Sequence, residues 1–392
     1  MKYSNKILNL AESATIAIST LAQNLKAQGK DILSFSTGEP DFDTPEKIKQ
    51  AAIKALEEGF TKYTAVAGIL DLRRAIAEKL FKENSLKYDP SEILVSNGAK
   101  QSLFNIFQAL INEGDEVIIP APYWVTYPEL VTYSGGKNIF INTDETTQFK
   151  ITPQMLKNAL SAKTKILVLT TPSNPTGMVY NKEEIKALYE VIKDTNIWVV
   201  SDEMYEKLVF DEEFCSVASI NEDMLQRTIT VNGLSKSVAM TGWRIGYLAS
   251  KNKELIKLMD NLQSQCTSNI NSITQKASIV ALNGSVDDDI EKMRLAFKER
   301  RDLACSLIDS IPSLSVMKPQ GAFYLFINLK SLEIYRNNSM AFAKDLLEDQ
   351  GVAIVPGVAF GMEGYVRLSF ACSVEQIEKG MERIKNFIAK IK

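Results

Sequence analysis

The chain has 392 residues, 45% of them hydrophobic, a formal net charge of −3 and no histidine. That length can bury a large core and predicts one large domain with a smaller one, while the near-neutral charge, without a basic block or an acidic tail, argues against nucleic acid and membrane surfaces as partners. The lack of histidine excludes Ser-His-Asp and Cys-His catalysis and most zinc enzymes, so proton transfer falls to Lys, Tyr, Asp, Glu or water.

Residues 1–12 read as an extended arm with no apolar core for a signal peptide. A helix over 13–29 ending at Gly29, a strand over 32–36 and a turn-rich loop to Pro45 follow. Thr44 as N-cap and Pro45 at the first position start the next helix, whose Ile48, Ala51, Ala52, Ala55 and Leu56 fall at helical spacing. Tyr63 lies in a loop before a helix over 69–81. A strand over 92–96 runs into Asn97-Gly98-Ala99-Lys100 and a helix. That is either a plain turn or a phosphate cradle of free N–H groups at a positive helix end.

Short apolar runs at 116–119, 165–169, 197–200 and 228–231 then alternate with helical stretches. Alternation of this kind predicts an α/β fold with a mainly parallel sheet covered on both faces, which binds ligands beyond its strands' carboxyl ends. Asn174, Asp202 and Lys236 each come just after a strand. From about residue 285 a long charged helix, several short strands and a closing helix from Val374 describe a smaller α+β domain. The expected division is an arm of 1–12, a large domain of 45–285, and a small domain of 13–44 with 286–392. Cys215, Cys266, Cys305 and Cys372 are far apart, form no CxxC pair and read as reduced, buried thiols. No run of about 18 apolar residues predicts a transmembrane helix, and a cytoplasmic location is expected.

The stretch from Lys236 to Arg244 organises the chain, because it lies among small residues between two apolar runs. A desolvated lysine can lose its proton and form a Schiff base. An arginine can clamp a phosphate with two hydrogen bonds. An aldehyde for one and a phosphate for the other describe pyridoxal phosphate (PLP). Asp202 ends an apolar strand, where a carboxylate either caps a helix or holds the proton on a cofactor ring nitrogen. Asn174 sits in Thr171-Pro172-Ser173-Asn174-Pro175-Thr176-Gly177, Trp124 follows Ala121-Pro122-Tyr123, and Arg367 lies in an apolar, strand-like run.

Together these motifs resemble the fold-type I, class I aminotransferases, within them the bacterial aspartate aminotransferase subgroup, over almost the whole chain. The resemblance implies the PLP-dependent transferase fold, with a mainly parallel seven-stranded sheet in the large domain. It implies Lys236 as the catalytic Schiff-base lysine and proton carrier, Asp202 on the ring nitrogen, and Tyr205 and Asn174 on the ring oxygen. Trp124 would stack on the ring, while Gly98, Ala99, Lys100 and Arg244 surround the phosphate. Tyr63 would reach the neighbouring subunit's phosphate, giving a homodimer with shared sites. For the substrate it implies Arg367, Asn174 and Gly38 at the α-carboxylate beside Trp124, and Lys100 with Thr15 at a distal carboxylate.

The implied reaction moves the amino group of L-aspartate to 2-oxoglutarate. Prephenate is disfavoured, because Ala11-Glu12 stands where prephenate-accepting members carry a basic residue. Aminotransferases for alanine or aromatic amino acids and C–S lyases share the fold and remain alternatives. A PLP-sensing transcription regulator would need a longer and more basic N-terminal segment.

Overall fold

The computed structural model describes residues 3–10 and 14–391, without the side chains of 14–16. Its centre is a seven-stranded sheet of β1 (Ile93–Ser96), β2 (Glu116–Ala121), β3 (Lys137–Asn142), β4 (Thr164–Thr170), β5 (Trp198–Asp202), β6 (Thr228–Gly233) and β7 (Gly246–Ala249). The spatial order is β1-β7-β6-β5-β4-β2-β3. Only β7 runs against its neighbours; the other pairings are parallel. Every residue of β1, β6 and β7 is buried, and the runs 117–119 of β2 and 166–169 of β4 are apolar and buried without a break, as strands covered on both faces allow.

The edge strand β3 was not foreseen. Among the described residues it pairs only with β2, and it leaves Phe140 43% exposed, so it carries no continuous apolar signal. Its mixed Lys-Asn-Ile-Phe-Ile-Asn composition suits an edge.

The parallel register places Thr170 beside Asp202 and Asp202 beside Val231. The loops after β4, β5 and β6 therefore leave the sheet at one edge, where Asn174, Asp202 and Lys236 meet. A second sheet joins β8 (Tyr324–Asn328) to β9 (Tyr365–Ser369) antiparallel, with Phe326 opposite Arg367. Leu33–Ser34 pairs with Val352–Ala353, so the chain's beginning packs with its end. Phe35, Phe297, Phe323 and Phe342 lie in the hydrophobic core around this second sheet.

Three local expectations are corrected. The arm carries a helical turn, Asn5–Leu8, rather than running extended throughout. Thr44 does not cap its helix: Pro45 takes the cap position of Glu46–Glu57, with no side-chain bond. The Thr44 hydroxyl instead donates to the Ala239 carbonyl at 2.7 Å and accepts from Trp243 Nε1 at 2.9 Å. A tertiary pair of bonds to the loop after β6 has displaced the local cap. Cys266, at the end of the surface helix Lys253–Cys266, is exposed, and Cys215 is half-buried; only Cys305 and Cys372 are buried, and all four are free.

Candidate active site

The loops at the sheet edge and the second sheet enclose a cavity of about 880 Å³, lined among others by Lys236, Asp202, Asn174, Arg244 and Arg367. Lys236 leaves the end of β6 and donates from Nζ to the Gly38 carbonyl. Burial lowers its amine from 10.5 to about 8; Glu39 opposes that fall, and Arg367 and Arg244 add to it. An amine near 8 has a usable neutral fraction at physiological pH, which a nucleophile needs.

Beyond Lys236 the chain makes tight turns, with Ala239 and Arg244 at φ of +51° and +55°, unusual for non-glycine residues. The turn aims the Arg244 guanidinium at the strand-to-helix corner, where it donates to the carbonyls of Thr241 at 3.0 Å and Asn97 at 3.4 Å. Gly98 lies directly beneath it. A Cβ at Gly98 would run into Arg244 Nη2, and φ there is +80°. Glycine is required twice over, by conformation and by contact. Helix Ala99–Leu110 starts here, so its free N–H groups and Arg244 converge on one anion-sized space.

Asp202 is buried at the tip of β5. Its Oδ2 accepts from the Tyr127 hydroxyl at 2.7 Å and its Oδ1 from the Met204 N–H at 3.2 Å. No helix follows it, so it caps none. Burial raises its pKa, and the bonds from Tyr127 and Met204 pull the other way. Among the described residues no cation lies within ion-pair distance, so the carboxylate lacks the charged partner that such burial calls for. Trp124 meets Tyr127 edge-on, with centroids 5.5 Å apart, and stands as a flat wall of the cavity. Lys100 Nζ lies 5.1 Å from the Trp124 ring; desolvation first, then Arg244, lowers its pKa.

Arg367 is 5% exposed on β9. It donates from Nη1 to Asn174 Oδ1 at 3.0 Å and from Nη2 to the Ser36 carbonyl at 2.8 Å, while Nε has no partner. The guanidinium lies 4.4 Å from the Tyr324 ring and 5.0 Å from that of Phe360. A buried cation held only by neutral oxygens and ring faces is set to receive an anion. Tyr205 is buried, and its hydroxyl lies 2.7 Å from that of Tyr324.

The structure thus brings together Gly38, Ala99, Lys100, Trp124, Asn174 and Asp202 with Tyr205, Lys236, Arg244 and Arg367. Gly98 stands behind Arg244. Tyr63 is apart from the cavity and 91% exposed. Thr15 is in helix Ala14–Ala27, but its side chain, like Ala11 and Glu12, is outside the described residues. Sequence reasoning missed Tyr127, Tyr324 and Phe360, which look like ordinary core aromatics.

A lysine with a depressed pKa, an unpaired buried carboxylate and an anion cradle at a sheet edge accompany a match to the family model "Aminotransferase class I and II" over residues 30–384. The chain belongs to that family. It is 45% identical to an aspartate aminotransferase of Bacillus subtilis, covering 100% of both chains. It is also 45% identical to a probable aspartate/prephenate aminotransferase of Rickettsia conorii, over 98% of each. Among solved structures, aspartate aminotransferase of Rhizobium meliloti superposes with a TM-score of 0.95 at 40% identity, over 99% of each chain. That of Thermus thermophilus with maleate gives 0.94 at 41% identity, over 98% of this chain and 99% of that one.

Class I aminotransferases are PLP-dependent. The residues here fit that group: an amine for the aldehyde, a buried acid without an ion-pair partner for the ring nitrogen, a flat indole wall, and Arg244 with a helix N-terminus for the phosphate. Among the described residues no helix of this aminotransferase is long and apolar enough to cross a membrane.

Proposed function

We propose that this aminotransferase moves the amino group of L-aspartate to 2-oxoglutarate, giving oxaloacetate and L-glutamate. The observation that carries the amino-acid chemistry is the buried, uncompensated Arg367 facing the same cavity as Lys236 and Asp202. Relatives named for aspartate cover the whole chain and support the choice of substrate.

PLP supplies an aldehyde that bonds reversibly to an amine and a protonated ring that draws electrons from the substrate. Asp202, oriented by the Tyr127 hydroxyl, would hold the ring-nitrogen proton. Arg244, with the N–H groups that follow Gly98, would hold the phosphate, and the Trp124 indole would face the ring. Arg367 takes the α-carboxylate in a two-pronged bond, and Asn174 keeps the guanidinium square to it. The Gly38 carbonyl holds the Lys236 amine. Lys236 would take the proton from the substrate's Cα and deliver the same proton to the cofactor's carbon, one base serving both ends in a chain without histidine. Lys100, with Thr15, receives the distal carboxylate that separates aspartate from monocarboxylic donors.

The proposal extends to a cytoplasmic homodimer. An exposed tyrosine with no task in its own cavity is suited to a neighbour's site, and Tyr63 fills that role. Residues 45–285 form the cofactor domain, with 13–44 and 286–392 the smaller one and 1–12 an arm. A monomer in sedimentation at working concentration would remove the shared-site reading.

A panel of amino donors with 2-oxoglutarate, read by the bound cofactor's absorption, tests the substrate. L-aspartate should give the highest kcat/KM. Pyruvate and ammonia released from cystathionine would point to the C–S lyase instead, and rapid turnover of prephenate would place the chain with its dual-named relatives.

A further inference from the structure

Tyr324 is 1% exposed and lines the cavity from β8. Among the described residues its hydroxyl bonds only to that of Tyr205, at 2.7 Å. Its ring lies under the Arg367 guanidinium at 4.4 Å. Its oxygen also sits against Gly38, where an added Cβ would come within 2.8 Å of it. One side chain therefore touches the residue expected on the cofactor's ring oxygen, the arginine expected on the substrate's carboxylate, and the glycine whose carbonyl holds Lys236.

We propose that Tyr324 is a positioning residue joining the two halves of the site: its hydroxyl aims and strengthens the Tyr205 hydroxyl toward the cofactor's ring oxygen, and its ring face holds Arg367 for the carboxylate. The inference rests on the cofactor reading given above. A hydroxyl that receives a hydrogen bond becomes a better donor, because bonds in a chain polarise one another in a dry site. A phenol has one proton. If Tyr205 gives its own to the ring oxygen, the bond at 2.7 Å requires Tyr324 to be the donor to Tyr205. Tyr324 has no other acceptor among the described residues, so its proton is committed to that chain. The ring acts separately, through attraction between a desolvated cation and a π face.

The two contributions separate by substitution. Tyr324→Phe keeps the ring and removes the hydroxyl; Tyr324→Leu removes both. The charged groups facing the pair are Arg367 from β9, Asp202 from the tip of β5 and Lys236 from the loop after β6. Both variants keep all three, so their fields cancel in the comparison with wild type.

The experiment is a pH titration of the visible absorption of the PLP-loaded proteins, with maleate as a non-reacting dicarboxylate probe. A weaker donor leaves the cofactor oxygen more basic, so the Tyr324→Phe midpoint should rise by about half a unit. Its maleate affinity should stay within about twofold of wild type, while Tyr324→Leu should lose roughly five- to tenfold. An unchanged or lower midpoint in Tyr324→Phe overturns the hydroxyl's role. Wild-type maleate affinity in a folded Tyr324→Leu overturns the ring's role. Should that variant not fold, Tyr324→Phe still decides the first point. A wild-type protein showing no pH-dependent band would sink the cofactor reading itself, and this proposal with it.

Discussion

Replacing Arg367 by lysine probes the carboxylate site with charge conserved. A guanidinium has five N–H donors. Asn174 takes one at 3.0 Å and the Ser36 carbonyl one at 2.8 Å, and Nε is among the three left over. Three donors therefore remain, enough for a two-pronged bond to a carboxylate. A lysine has three donors at a single point, and keeping the same two neighbours leaves it one. The substitution thus removes one charge-assisted bond and the planar fork, a loss of about 1.5–3 kcal/mol. That corresponds to roughly 10- to 150-fold in kcat/KM for L-aspartate. The bond exists before as well as during reaction, so much of the loss should fall on KM. Steady-state kinetics with varied L-aspartate, alongside maleate affinity, measures it. A drop of less than about threefold, with maleate affinity unchanged, would refute the assignment of Arg367 to the carboxylate.

The Lys236 amine gives a pH prediction in the cofactor-free protein. Its folded pKa, about 8, lies below its ordinary 10.5. Below about pH 8 both folded and unfolded chains carry the proton, and the folded state bears the full cost of the buried charge. Between the two values the unfolded chain binds a proton that the folded one lacks, so wild-type stability recovers as pH rises. Cofactor-free Lys236→Met should therefore melt higher than wild type at about pH 7, with the gap closing toward about pH 10; a gap that stays constant counts against the depressed amine. At the phosphate corner, Gly98→Ala puts a methyl group against Arg244 at a φ of +80°. Strain of about 1–3 kcal/mol and a displaced guanidinium should weaken PLP binding at least about tenfold by absorbance titration, with circular dichroism unchanged. Wild-type affinity in that variant would argue that the corner binds no phosphate.

Some of this molecule was legible along the chain because it depends on local order. The parallel sheet announced itself through apolar runs such as 166–169 of β4, a strand buried on both faces and therefore free of any need to alternate. Lys236, Asp202 and Asn174 could be placed at one edge because parallel strands all end on the same side. Gly98 and the small residues around Lys236 mark close approach wherever they occur. The edge strand β3 escaped because half of it faces solvent, and Thr44 misled because its local use as a cap was one of two available bonds.

The sequence by itself determined the fold class, the strand-end positions of the amine and the acid, and the chemistry that a lysine, an acid and an arginine can perform without histidine. Only the tertiary structure decided which aromatic side chains serve the site. Tyr324 pairs with Ser369 and Phe326 with Arg367, so Tyr324 sits diagonal to Arg367 on the same face of two strands some forty residues apart. Tyr127 reaches Asp202 from a helix that no motif links to it. The physical reason is that a buried aromatic looks alike in sequence whatever it packs against. Its partner is chosen by strand register and by the packing of distant segments, and those exist only once the chain has folded.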